Sequence, residues 1–470
     1  MSSTSENKRK ADSRSEAGMS RQQRRRAEYN AKRGSGQGNQ QSRASGSSLP
    51  HPLMTTTKIL PAPTGKWMNT VIQSVRWGPG CVEQALPEAL RSLGLSNPKS
   101  LIITGRSLAT KTGIIKRIEG QLQSSGLHAG TFSEINQHAG VESIERARAA
   151  LKQTGANVLV AIGGGSPIDA AKAISYWIHE ADGSSVKGNE DPRTFLPIIA
   201  VPTTLSLAET TQNAGFTRDG KKTGVSHPAL VPRSIIYDAE LTVDTPERLW
   251  LSSGMRSVDH AIESLYRPDA SPVLRNMWLG AIRDLFHFLP LSKARPQDLA
   301  VRQRLQLACY TSLSPEARTG ALGLSHSLGH ALGATYSIPH GITSCLTLAA
   351  SIRLTAQLSS TPPEQLEALS DALNYIPAPF NPTPAPLGVP VGGLQVLSGA
   401  QVLSDHIKQR GVRVGDAVQA LIQALGLTRT LGEYNVPRDD LATIASHASG
   451  KDGPGSEKHN GVLALLDSIY

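Results

Sequence analysis

A parallel α/β domain followed by an all-helical domain is the fold class this sequence predicts, and three observations carry it. From about residue 67 to 240, short apolar runs alternate with helix-spaced stretches of about ten to fifteen residues, the pattern of a parallel sheet with crossover helices. The sharpest run, Asn157 to Ile162, leads straight into Gly163-Gly164-Gly165-Ser166-Pro167 and a further helical pattern. Beyond Tyr237 only helical spacing and loops remain. The expected divisions are a disordered basic arm over 1–62, an α/β domain over 63–240 that should hold a nucleotide, and a helical domain over 241–470. A Pro/Gly-rich loop at 376–399, with six prolines and four glycines, interrupts the last of these.

Thr70 to Trp77 alternates as a strand, Gly78-Pro79-Gly80 turns the chain, and Val82 to Leu93 is spaced as a helix. Ser100 to Thr104 reads as a buried strand ending at Gly105-Arg106-Ser107, followed by a helix over Lys111 to Gln123. A strand near Thr131 to Ile135 and a helix over Glu142 to Thr154 precede the glycine loop. Leu196 to Val201 and Ser234 to Tyr237 complete the strands. Helices are then expected at Pro246 to Leu251, Met255 to Tyr266, Met277 to Leu289, Asp298 to Leu313, Gly323 to Leu332, Asp416 to Leu425 and Arg438 to His447.

Composition narrows the function classes. The net charge of +10 resembles a nucleic-acid signal until it is located: residues 1–50 hold eleven Lys/Arg against four Asp/Glu, so seven of those charges belong to the arm. The arm is too poor in large apolar residues to offset the entropy of ordering. Its runs Lys8-Arg9-Lys10 and Arg24-Arg25-Arg26 have the form of a nuclear address or a phosphate-binding tail, and a solvated tail is the plainer expectation. Cys81, Cys309 and Cys345 lack CxxC spacing, which argues against a disulfide framework or thiolate metal site. No apolar run is long enough to span a bilayer, and a cytoplasmic location is expected.

Two stretches carry chemistry. At the glycine loop the backbone can approach a phosphate closely, Ser166 is expected to cap the helix with Pro167 at its first position, and the free N–H groups face an anion. Hydroxyls on Pro202-Thr203-Thr204-Leu205-Ser206 follow the next strand, at the carboxyl end of the sheet where open α/β folds bind ligands. The second stretch is Ser325 to Gly341, with three of the thirteen histidines within fifteen residues. His326 and His330 share a helical face. Pro339 breaks that helix and lets His340 fold back. Converging imidazoles suit either a divalent metal or proton donation beside a substrate.

Together, GGGSPIDAAKAI at 163–174, VPTTLSLAETT at 201–211, SGMRSVDHAIESLY at 253–266 and the histidine stretch resemble the iron-containing alcohol dehydrogenase family, of dehydroquinate synthase-like fold. The likeness is greatest to its maleylacetate reductase branch. It implies hydride transfer between a carbonyl or alcohol and NADH or NADPH in the cleft between the domains. Gly163, Gly164, Gly165 and Ser166 would then embrace the pyrophosphate, with Asp169 and Lys172 supporting the helix start, while Thr203, Thr204 and Ser206 line the nicotinamide side. Many members carry an aspartate after the second strand that repels a 2′-phosphate. Gly105 and Arg106 stand there, so use of both coenzymes is expected.

Metal-dependent members of that family use an aspartate, a histidine four residues later and two histidines fourteen apart. His260, His326 and His340 occupy those histidine places, and His330 matches a further active-site histidine. The aspartate's place is held by Arg256, which cannot ligate. Asp259 is expected to point off that helical face. A divalent Fe or Zn ion is therefore disfavoured, in keeping with a branch whose members typically work without metal. Arg256 or a histidinium would stabilise the developing alkoxide, and a histidine would give the proton. The expected substrate is a small carbonyl compound such as maleylacetate. A metal-dependent alcohol dehydrogenase is the enzyme alternative, and a non-catalytic nucleic-acid-binding or scaffold protein the alternative of another class. Family members are often dimers, which raises the expectation of a homodimer.

Overall fold

The computed structural model describes residues 72–136, 139–181, 195–218, 221–268, 270–313, 322–381 and 400–470. The basic arm expected over 1–62 and most of the Pro/Gly-rich stretch lie outside the described residues. The fold begins with β1 (Ser74–Trp77), α1 (Val82–Arg91), β2 (Ser100–Ile103), α2 (Arg106–Lys111), α3 (Ile114–Ser124), β3 (His128–Phe132), α4 (Val141–Thr154), β4 (Val158–Gly163), α5 (Gly165–Ala181) and β5 (Ile198–Pro202). A hairpin of β6 (Asn213–Arg218) and β7 (Lys221–Ser226) precedes β8 (Ser234–Tyr237).

Six strands make one parallel sheet in the order β1-β8-β5-β4-β2-β3. The crossovers after β2 and β4 run in opposite directions, so the crevice between these strands is the topological switch point where such sheets bind ligands. β2, β4 and β5 are buried along their whole length, which is why they read as continuous apolar runs. One face of the sheet packs Ile102, Val160, Ile162 and Val201 against α1 and α3, and the other packs Ile103, Leu159 and Ala161 against α4 and α5. Asp238, just past β8, accepts from Gly80 N, Val82 N and Glu240 N at 2.8–3.0 Å, which fixes the start of α1.

The helical half comprises α6 (Glu247–Leu265), α7 (Pro272–Ala294), α8 (Leu299–Ser312), α9 (Leu324–Thr335), α10 (His340–Gln357), α11 (Pro363–Asp371), α12 (Ala400–Leu425), α13 (Leu441–Ser449) and α14 (Glu457–Ser468). The sheet's last strand ends at Tyr237 and this helical run starts at Glu247. Trp250, Met255, Trp278 and Phe286 anchor its main core, while Leu328, Ile342, Leu441 and Val462 join α9 and α10 to the two last helices. No helix among the described residues is long and apolar enough to cross a membrane.

Several elements differ from the expectations, each for a local reason. The stretch Lys111 to Gln123 contains the end of one helix and the bulk of another, parted at Thr112-Gly113. β3 starts three residues before the predicted stretch and overlaps it at Thr131 and Phe132, because the half-buried His128, Ala129 and Gly130 of this edge strand give little apolar signal. The hairpin is missed because Ala214 and Phe216 are the buried residues of a polar, solvent-facing β6. Ser252-Ser253-Gly254 looks like a break between two helices, yet α6 runs through it. Gly254 leaves room for the Leu289 side chain there, and Ser253 Oγ serves a neighbouring loop. α10 begins at His340, where Pro339 ends the preceding turn, and Gly341 sits so near α6 that a Cβ would lie 2.5 Å from Ser252 O.

Candidate active site

The glycine loop and the threonine loop leave the sheet side by side, because Gly163 is in register with Pro202 and Thr203 N donates to Gly163 O at 2.9 Å. Gly163 has φ +139°, a conformation open to glycine. A Cβ on Gly164 would lie 3.1 Å from Thr204 Cγ2, and one on Gly165 would lie 3.4 Å from Ser206 Oγ. The two loops thus form a narrow cradle that any side chain at 164 or 165 would fill. α5 starts at Gly165, so the N–H groups of its first turn open into this cradle. Ser166 and Pro167 consequently lie within the first helical turn, which corrects the expectation that Ser166 caps the helix from outside. Gly105 stands across the switch point as the extended N-cap of α2, followed by the exposed Arg106. The backbone of this cradle, at a helix N-terminus, suits a phosphate group.

Lys172 departs from its expected place. It is fully buried on α5, and its Nζ goes to Ala208 O, Thr211 O, Thr211 Oγ1 and Asn213 O rather than toward the helix start. The loop it holds is tied on the other side to α6: Leu205 N donates to Ser253 Oγ at 3.0 Å, and Ser257 Oγ donates to Leu205 O at 2.6 Å. Glu209 in the same loop is buried and accepts from Tyr237 Oη at 2.8 Å. Burial pushes its carboxyl up to about 7.

One face of α6 then carries the charged residues. Arg256 and Asp259 are three apart and meet, Nη1 to Oδ2, at 3.4 Å, both buried. The expectation that Asp259 points away from Arg256 is therefore corrected; an i, i+3 pair shares a face. Asp259 Oδ2 also accepts from Ser344 Oγ at 2.5 Å and Ser325 Oγ at 2.9 Å, and Arg256 Nη1 reaches Ser344 Oγ at 3.3 Å. One turn on, Glu263 receives Ser325 N, His326 N and Tyr266 Oη, and takes His326 Nδ1 at 2.6 Å. Glu263 thus sets its carboxyl group at the N-terminus of α9. Gly323 makes room for it, since a Cβ there would lie 2.7 Å from the carboxylate.

These carboxylates set the state of His326. Burial and then Arg256 press the imidazole toward neutrality, but Asp259 at 3.2 Å and the Glu263 bond outweigh them, so its pKa is raised. Burial raises the Asp259 carboxyl in turn, yet His326, Arg256 and Ser344 prevail and hold it below its usual value. Burial lowers the Arg256 guanidinium. With Nδ1 anchored, the buried His326 Nε2 has no hydrogen-bond partner among the described residues.

The predicted histidines fall into two pairs. His260 and His326 have ring centroids 5.1 Å apart and are buried, whereas the exposed His330 and half-buried His340 stack at 6.1 Å. Asp259, Glu263 and His326 place one ligand atom each within 4.8 Å of one another; Glu263 and Asp259 Oδ2 accept from protein donors, while Asp259 Oδ1 and His326 Nε2 have no hydrogen-bond partner among the described residues. For the set His260, His326 and His340, the place of a charged ligand is taken by the Arg256 cation. Asp259, Glu263, Ser325 and Ser344 were not legible as site residues; the i, i+3 and i, i+4 spacing of Arg256, Asp259, His260 and Glu263 on one helix is the signal that could have found them.

A family profile described as iron-containing alcohol dehydrogenase matches residues 73–239, and one described as the C-terminal part of the Fe-containing alcohol dehydrogenase family matches 250–383. A maleylacetate reductase of Rhizobium sp. (strain MTP-10005) is 33% identical over 82% of this chain and 92% of its own length. A maleylacetate reductase of Burkholderia cepacia is 29% identical over 75% of this chain and 95% of its own. Among solved structures, the Rhizobium enzyme superimposes with TM-score 0.66 at 25% identity, covering 87% of this chain and 99% of the other. The maleylacetate reductase from Agrobacterium tumefaciens, at 24% identity and TM-score 0.67, shares the fold.

The Arg256–Asp259 pair makes a stability prediction. Asp259→Ala leaves a buried cation without its carboxylate and should cost about 3–5 kcal/mol, while the double replacement Arg256→Met with Asp259→Leu should cost much less. Denaturant midpoints of the two variants decide this, and equal destabilisation in both would contradict the pairing.

Proposed function

Because this chain belongs to the iron-containing alcohol dehydrogenase family, we propose that it reduces a small carbonyl acid, maleylacetate or a related oxo-dicarboxylate, without a divalent metal. The chain is an oxidoreductase acting on C=O and CH–OH groups with NADH or NADPH. When bound, the reduced nicotinamide supplies the hydride that the carbonyl carbon accepts. The chain's own residues must then hold the substrate, neutralise charge on its oxygen and deliver a proton.

The observation that carries the metal-free reading is Arg256, a buried cation beside His326, where metal-dependent members have a carboxylate ligand. His326 is held from Nδ1 by Glu263, so Nε2 is the nitrogen left to donate to the carbonyl oxygen. The nearby guanidinium adds fixed positive charge, which replaces Lewis-acid stabilisation of the alkoxide. Arg256 makes its bonds to Asp259 and Ser344 through Nη1, which leaves the rest of the fork for a substrate carboxylate. His260 flanks His326, and His330 with His340 complete the substrate side. Gly163, Gly164, Gly165, Ser166 and Asp169 hold the pyrophosphate end of the cofactor in this reading, and Thr203, Thr204 and Ser206 the nicotinamide end. Gly105 with Arg106 leaves a 2′-phosphate unopposed.

Arg256→Ala should raise KM for a dicarboxylic oxo acid about 10- to 100-fold, the worth of a charged hydrogen bond, with far less change for a neutral ketone of similar size. Equal effects on the two substrates would remove the carboxylate clamp. In the same assay NADPH and NADH should support kcat/KM within about tenfold of each other, as no carboxylate guards the ribose. A much larger preference for NADH contradicts that.

A further inference from the structure

Every described acceptor of the Lys172 ammonium lies within six residues of one loop, and we infer that Lys172 is a positioning residue that sets the nicotinamide surface of the cofactor site. The inference rests on the nicotinamide-dependent reading above. Lys172 lies about two turns into α5 from the phosphate-facing end. Its Nζ reaches Ala208 O and Thr211 O at 2.5 Å, Asn213 O at 3.0 Å and Thr211 Oγ1 at 3.1 Å, and the residue is 0% exposed. An ammonium has three protons, and here four oxygens share them, so the cation is caged by neutral acceptors. Asp169 on its own helix and Glu209 on the loop supply the balancing field, and burial lowers the lysine to about 8.

Three backbone carbonyls converge on a point only if the chain is bent around it. Leu207, with φ +64°, and the tight turn Ala208–Thr210 provide that bend. A non-glycine residue in the left-handed region is strained, and such strain persists where surrounding contacts over-determine it. The ammonium is the partner that turns these carbonyls inward, and without it they would be left buried and poorly satisfied. The bent segment directly follows Thr203, Thr204 and Ser206. Ala208 itself stands in the cradle wall, where a Cβ on Gly165 would lie 3.6 Å from Ala208 Cβ. Lys172 therefore locks the helix that receives the pyrophosphate to the loop that receives the nicotinamide. Its removal should loosen the loop while sparing the phosphate end.

The test uses the full chain and calorimetric titration with NADH and with ADP-ribose, which lacks the nicotinamide. Lys172→Met should raise Kd for NADH about tenfold or more and lower kcat, with Kd for ADP-ribose unchanged, since the lost charged hydrogen bonds act on the nicotinamide side. Thr211→Val, which removes one acceptor and keeps the charge, should show the same selectivity to a smaller degree. Equal weakening of both ligands, or no change in either, overturns the inference. Should Lys172→Met fail to fold, Thr211→Val decides alone: a change in NADH affinity without one in ADP-ribose affinity supports it, and any other pattern overturns it. Wild-type protein that binds neither ligand contradicts the cofactor assignment itself and is told apart in that way.

Discussion

The backbone of Leu205, held at its N–H by Ser253 and at its carbonyl by Ser257, is the joint on which the site depends. It lies in the loop after β5, so it belongs to the sheet by sequence. Its side chain is buried in the helical core. Two hydrogen bonds to one residue fix both the height and the rotation of α6, and α6 carries Arg256, Asp259, His260 and Glu263. On the opposite side, Lys172 clamps the continuation of the same loop to α5. The glycine cradle, the hydroxyl loop and the charged helix are consequently placed by a short run of backbone rather than by long-range packing alone.

Within that frame the charges of α6 are organised by a single exchange. A cation stands where a metal-binding member of the family has a carboxylate, and a carboxylate stands one turn on. The pair is buried, so each charge needs the other, and Ser325 and Ser344 donate further hydrogen bonds to Asp259 Oδ2. Asp259 and Glu263 together draw positive charge onto His326 from one side and leave its Nε2 on the other. In the proposed reaction Arg256 and His326 take over the charge that a divalent ion would supply. The arrangement is preorganised: none of these groups must leave water as charge develops on a substrate oxygen.

Much of this was legible in the sequence. β2, β4, β5 and β8 announce themselves because strands covered on both faces are continuously apolar, and the glycine loop because only glycine tolerates such close backbone approach. The hairpin β6–β7 was not legible, since its outward face is polar and its pairing is local. The apparent break at Ser252-Ser253-Gly254 misled because those small residues serve neighbours, Leu205 and Leu289, that are remote in sequence. For the site, His260, His326 and Arg256 were identified by position, whereas Asp259 was discounted although its i, i+3 spacing puts it beside Arg256. Lys172 was read toward the phosphate because α5 faces it. The direction of a long side chain toward carbonyls about forty residues away is a tertiary fact that helical spacing does not contain.

Whether fixed cations stand in for a metal can be measured. Elemental analysis of the purified full-length protein, paired with its rate of NADH oxidation by an oxo-dicarboxylic acid before and after exhaustive chelation, addresses this directly. Substoichiometric iron and zinc and an undiminished rate after chelation are expected. A rate that falls with removal of a stoichiometric ion and returns on adding Fe²⁺ or Zn²⁺ would contradict the metal-free reading.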